Sequence, residues 1–198
     1  MSVTINGNGT ITGYDPVPNG SITTAKLANN AVDHTKTTGL QRRIQTGPNA
    51  LPSASSFTHT VTTGVKKIEI WIQDASAGDS DMRIQLTDSS LQTSGYGYSA
   101  GFIRSNGTGG AVSRTTGFRT YGFDSDSYNI SGCWTLRNPH GNTWIAQHQF
   151  WGSAADDHDF YGVGRKTLSG TLTSFTLNCD SGSFDNGNYT IIETMGDD

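Results

Sequence analysis

Apolar and polar side chains alternate with period two along most of the chain beyond residue 55, and that alternation predicts strands with one face for a core and one for water. Phe57, His59 and Val61 alternate with Ser56, Thr58 and Thr60. Ile68, Ile70 and Ile72 alternate with Lys67, Glu69, Trp71 and Gln73, and Met82, Ile84 and Leu86 with Arg83, Gln85 and Thr87. Gly64 between the first two runs predicts a hairpin, and residues 75–81 a loop. The pattern weakens over residues 89–128, where Gly, Ser, Tyr and Thr dominate. There residues 107–110 predict a long turn between weak strands near 96–103 and 117–123, with a loop-rich insertion as the alternative. It recovers in residues 130–137, which set Trp134 and Leu136 on one face. Residues 138–142, Asn-Pro-His-Gly-Asn, predict a turn. Residues 143–151 return with Trp144, Ala146, His148 and Phe150 on one face and Ile145, Gln147 and Gln149 on the other. Strands over 160–165, over Phe175, Leu177 and Cys179, and over 189–193 complete the run. Eight to ten strands, no long helix and no βαβ rhythm predict an all-β fold, an antiparallel β-sandwich of jelly-roll type.

The first forty residues follow a different rule. Residues 6–9 and 15–20 are turn and breaker signals with little between them to build a core. Ile22-Thr23-Thr24-Ala25-Lys26 is answered ten residues later by Val32-Asp33-His34-Thr35-Lys36, each copy offering one apolar anchor, cap-forming residues and a lysine. Helical turns this short are not stable alone in water and become ordered against another surface. The chain therefore reads as an extended anchoring and oligomerisation segment over residues 1–40, in which Ile22, Leu27, Val32 and Leu40 pack across chains, and a β-sandwich domain over residues 41–198.

Composition narrows the function. Of 198 residues only 15% are charged and the net charge is −4, which gives nucleic acid no basic face to bind. No polybasic or amphipathic stretch predicts a membrane surface, and the start has the marks of neither a secretory signal nor a spanning segment. Twenty-five glycines with abundant Ser, Thr and Asn fit short strands joined by many turns. Cys133 and Cys179 lie on separate predicted strands outside any metal-binding spacing; they read as two small buried hydrophobes, with a disulfide open if the strands are neighbours. The acidic groups Asp79/Asp81, Asp124/Asp126 and Asp156/Asp157/Asp159 fit no calcium-loop pattern, and His140 and His158 lack a third zinc ligand. There is no nucleophile elbow, and the glutamates, Glu69 and Glu193, are expected on strand surfaces. The reading is a protein without catalytic residues, metal or cofactor. Tyr96, Tyr98, Phe102, Tyr121, Phe123 and Tyr128 gather in the irregular region beside amides and hydroxyls. Saccharides present an apolar C–H face and a polar rim, so these six are the candidate glycan-binding residues, with cover for a sandwich edge or an intersubunit seam as the alternative.

The segment Gly20-Ser21-Ile22-Thr23-Thr24-Ala25-Lys26-Leu27-Ala28 resembles one common in bacteriophage tail-fibre and related virion proteins, and the stretch from Ile130 to Gly196 resembles the β-sandwich heads of such proteins. The second copy lacks the Leu-Ala ending. The resemblance implies a virion structural protein assembled in the host cytoplasm. It also implies a homotrimer attached to capsid, neck or tail proteins, displayed as a short fibre, spike or capsid decoration, but no particular receptor; host-surface polysaccharide is the candidate ligand only through the aromatic residues above. A carbohydrate-binding lectin without a virion role is the alternative.

Overall fold

The structure, a computed structural model, describes the strand residues 4–5 and 11–12 and residues 43–76, 81–121, 129–153 and 157–196. The chain divides into two units, Met1–Leu40 and Gln41–Asp198. In the first, β1 (Thr4–Ile5) pairs antiparallel with β2 (Ile11–Thr12). The anchor positions Ile22, Leu27, Val32 and Leu40 lie outside the described residues, as do Phe123 and Tyr128 of the second unit.

The second unit is all-β. Its strands are β3 (Arg43–Ala50), β4 (Ser56–Thr60), β5 (Val65–Ser76), β6 (Met82–Thr87), β7 (Gly97–Arg104), β8 (Gly109–Arg114), β9 (Phe118–Arg119), β10 (Asn129–His140), β11 (Thr143–Ser153), β12 (His158–Thr167), β13 (Ser174–Cys179) and β14 (Asn186–Met195). They form two antiparallel sheets, one ordered β3-β14-β5-β10-β11-β12-β7-β8 and one ordered β4-β13-β6-β9. Eight of these strands pair in a nested fashion: β3 with β14, β4 with β13, β5 with β10, and β6 with β9. Nesting of this kind is one long antiparallel ribbon rolled up on itself, which is the jelly roll. The remaining strands are two inserted hairpins, β7–β8 and β11–β12, and both lengthen the larger sheet beyond β10.

Alternation explains the core. Ile68, Ile70 and Ile72 of β5, Trp134 and Leu136 of β10, and Trp144, Ala146 and Phe150 of β11 point inward from the larger sheet. Met82, Ile84 and Leu86 of β6 and Phe175, Leu177 and Cys179 of β13 answer from the smaller one. Trp134 and Phe150 pack edge-on at 4.5 Å, and Phe118 of β9 lies edge-on to Tyr96 at 5.0 Å. Glu193 ties the sheets together at one end: its carboxylate accepts hydrogen bonds from the Thr62 backbone N–H (3.1 Å), Thr62 Oγ1 (2.6 Å) and His59 Nε2 (3.2 Å). The expectation of a surface Glu193 is thereby corrected. The residue belongs to the inward phase of β14, and these donors replace the water it loses.

Two strands exceed what the alternation predicts: β3 and β8, the two edges of the larger sheet. Of the weak strand predicted near 117–123, β9 keeps two residues at an edge of the smaller sheet. An edge strand has a neighbour on one side only and is incompletely covered, so it carries a weak apolar rhythm and tolerates Pro48 and the Gly109-Gly110 pair. The turn predicted over residues 138–142 is tighter than expected. β10 runs to His140 and reverses at Gly141, whose φ of 54° suits glycine, while Asn138 Nδ2 donates to the Gly141 carbonyl at 2.7 Å.

Candidate functional site

The two outer faces of the sandwich differ in chemistry. That of the smaller sheet is closed and polar. Thr58 and Thr176 hydrogen-bond across strands at 2.9 Å, Arg119 pairs with Asp81 at 2.9 Å and with Asp180, and Arg83 pairs with Asp180 at 3.3 Å. The outer face of the larger sheet instead carries Trp71, Ile103, Ile145, Trp151, Tyr161 and Val163. These are six of the seven large apolar side chains left exposed among the described residues. A sheet face bearing that much uncovered apolar surface marks an interaction site.

Strand register fixes the layout. One row across the sheet reads Thr190, Trp71, Cys133, Gln149, Tyr161 and Gly101 on β14, β5, β10, β11, β12 and β7. The row on one side holds Ser131, Trp151, Asp159 and Ile103, and that on the other Glu69, Thr135, Gln147 and Val163. Over these three rows β10 contributes the short side chains Ser131, Cys133 and Thr135, while its neighbours carry Trp71 on one side and Gln147, Gln149 and Trp151 on the other. The result is a valley along β10. It opens a groove of about 840 Å³, within the range that holds small ligands. A second groove of about 400 Å³, reaching Pro48, Gln73 and Tyr189, lies on the other side of Trp71. Trp71 is therefore a ridge between two depressions, 48% exposed, with Trp151 (49%) and Tyr161 (44%) across the valley.

Local geometry holds these rings in place. A β-bulge in β5 follows Trp71, where Asp74 adopts φ 52° and donates its backbone N–H to Ser131 Oγ at 2.9 Å. Tyr161 leans across β7 over Gly101; a Cβ added there would meet the phenol oxygen at 2.8 Å. Cys133 sits in the valley floor, its thiol donating to the Trp134 carbonyl at 3.0 Å, and burial pushes its pKa up to about 11. It is a neutral thiol rather than a nucleophile. Cys179 faces the core from the other sheet, and neither cysteine is in a disulfide, which closes the possibility of one between them.

The aromatic residues singled out from the sequence fall elsewhere. Tyr96 (2% exposed) and Tyr98 (3%) are core residues, a correction to their assignment as a glycan surface. The alternation of β7 turns Tyr98, Ala100 and Phe102 inward, and Tyr96 fills the same layer, its hydroxyl accepting from the Leu86 N–H at 2.8 Å and donating to the Gln92 carbonyl at 3.0 Å. Phe102 and Tyr121 are partly buried and pack on each other at 5.8 Å. Tyr98 crosses β12 above Gly162, where an added Cβ would meet its hydroxyl and His148 Cε1 at 2.6 Å each, and pairs with His148 Nδ1. Burial holds His148 down to about 3, so this imidazole is neutral. The sequence reading did not single out the exposed rings Trp71, Trp151 and Tyr161, although each stands in the polar phase of its strand, where alternation predicts a hydrophilic side chain.

Other chemistry is sparse. Among the described residues no group of three or more His, Cys, Asp or Glu is placed to hold a metal ion. The chain's two glutamates lie on opposite faces of the larger sheet, Glu69 outside with Lys67 at 2.9 Å and Glu193 within. Asp88 is spent on a loop clamp. The Ser169 hydroxyl and backbone N–H groups of Ser169, Gly170 and Ser89 all donate to it, and they hold its carboxyl well below the usual range against the opposing effect of burial.

Fold and face together define an antiparallel jelly-roll domain with an uncovered sheet surface of aromatic rings and amides. No protein-family model, curated protein or solved structure matches the chain, so the surface has to be interpreted from its own chemistry.

Proposed function

We propose that the chain is a structural protein of a bacteriophage virion, a short fibre, spike or capsid decoration, whose jelly-roll head binds saccharide on the outer face of its larger sheet. The observation that carries the binding role is the co-location of three exposed rings, Trp71, Trp151 and Tyr161, with Gln147, Gln149, Ser131 and Thr135 around one valley. Rings stack on the C–H face of a sugar while amides and hydroxyls pair with its hydroxyls, and a groove open along the strand accepts a chain rather than a single unit. The virion role is supported by the Ile22–Ala28 segment and its resemblance to tail-fibre proteins. Residues 1–40 anchor and trimerise the chain, and three heads together raise the avidity of a weak site for a repetitive surface.

A carbohydrate-binding module without a virion role is the second reading, favoured because the whole face is built within residues 43–196. An oligosaccharide array probed with the full chain tests the binding role shared by both. Saturable binding is expected, and Trp71→Ala should weaken it about three- to tenfold without lowering Tm. Absence of binding to every saccharide, or binding indifferent to Trp71→Ala and Trp151→Ala, overturns it. Detection of the protein on purified particles by mass spectrometry separates the two readings.

A further inference from the structure

The valley is electrically lopsided. At the Ser131 end stand Asp74 and Asp159, both exposed. At the other end the next cross-strand row beyond Thr135 reads Lys67 on β5, Arg137 on β10, Ile145 on β11 and Arg165 on β12. Lys67 is paired with Glu69, whereas Arg137 and Arg165 are exposed and make no ion pair among the described residues. Lys67, already paired with Glu69, faces Arg137 directly, so the neighbour of Arg137 on β5 is a cation and not a carboxylate. The two guanidinium groups spring from strands on either side of β11, so their Cα atoms are about 10 Å apart, close enough for both side chains to reach one group. The valley floor runs from Ser131 to Thr135 and Arg137 stands one row beyond it, so the path from Ser131 to Arg137 covers six residues, about 20 Å, the span of a short oligosaccharide.

We infer, resting on the saccharide reading above, that the ligand is an acidic saccharide lying along β10, with a carboxylate or phosphate at Arg137 and Arg165 and its neutral rings against Trp71, Trp151 and Tyr161. Guanidinium forks match both anions in geometry, and the aspartates at the far end repel a second anionic group and so set the direction of the chain. Trp71 supplies affinity for any sugar; the arginines supply the preference for charge. The arrangement also makes binding sensitive to salt, since the pairing groups are solvent-exposed.

The test measures binding of the full chain to uronate-containing oligosaccharides, to their carboxyl-reduced forms and to sugar-phosphate oligomers by titration calorimetry. At least one acidic form is expected to bind about tenfold or more tightly than its neutral counterpart. The Arg137→Gln/Arg165→Gln double variant should abolish that preference, bringing the affinities of the acidic and neutral forms together, while Trp71→Ala weakens both. Which acidic form is favoured tells carboxylate from phosphate. Equal binding of acidic and neutral forms, or a preference that survives the double variant, overturns this inference and leaves the saccharide reading standing. Failure of every saccharide to bind overturns both. A change in native mass of the arginine variants, without any saccharide preference in the parent, would reveal the face as a contact between copies and equally overturn it.

Discussion

His148 couples the core to pH. An imidazole ordinarily takes its proton near 6.5, and burial among Trp134, Phe150 and Tyr98 holds this one down to about 3. In the unfolded chain the ordinary value returns, so between those two pH values the unfolded state binds more protons and stability falls as pH falls. The slope from this residue reaches about 1.4 kcal/mol per pH unit. Burial pushes the Glu193 carboxyl up, but the hydrogen bonds from His59 and Thr62 outweigh it and hold it below its ordinary value. Its contribution is full above that ordinary value and is lost only at lower pH. Thermal melts at fixed ionic strength should therefore show Tm declining between pH 6.5 and 5, before the carboxylates protonate. His148→Gln should flatten that interval. An undiminished slope in the variant would show that the imidazole does not titrate on unfolding as argued. At this scale the sequence was readable where phase was read strictly. Trp134, Trp144 and Phe150 are buried as alternation predicts, and Tyr98 and Phe102 are inward for the same reason. Reading aromatic abundance as a surface, without asking which phase each ring occupied, brought in the buried Tyr96 and Tyr98 and passed over the exposed Trp71, Trp151 and Tyr161.

Among the elements, the inserted hairpins turn an ordinary sandwich into one with a broad open face. β11 and β12 supply Trp151, Tyr161, Gln147 and Gln149, and β7 supplies the glycine over which Tyr161 leans. Their packing depends on missing side chains. On β12, Gly162 leaves the gap through which Tyr98 reaches His148, so Gly162→Ala should cost about 1–3 kcal/mol by overpacking. Gly97→Ala, where an added Cβ meets nothing within 4 Å, should be within about 0.5 kcal/mol of the parent. Denaturant unfolding of the two variants decides it; equal loss in both would mean that the Tyr98–His148 contact does not set the cost. The central strands β5, β10 and β11 were legible in sequence because both their faces meet fixed environments. The edge strands β3 and β8 were not, since a partner on one side only imposes little pattern. Strand order was not legible at all. Alternation fixes which side of a strand is inward, whereas the nesting of β3 with β14 arises from contacts nearly the full length of the domain apart.

For the whole molecule, the division at Leu40 separates a segment rich in breakers from a domain with its own core. We expect removal of residues 1–40 to leave a soluble head with the parent's Tm, while native mass falls from trimer to monomer and incorporation into particles is lost. A truncated head that remains trimeric would move the assembly role to the sandwich, and one that incorporates normally would remove it from residues 1–40. The nested topology carries a further consequence for how such a head is made. Residues 186–195 lie between β3 and β5 as an interior strand of the larger sheet. During synthesis, the earliest strand of the head must wait unpaired along that side until nearly all the rest has emerged, and a ribosome that stops short of Asn186 releases a sheet with a slot one strand in from its edge. Any exposed strand of suitable register could fill that slot, including β14 from a neighbouring copy.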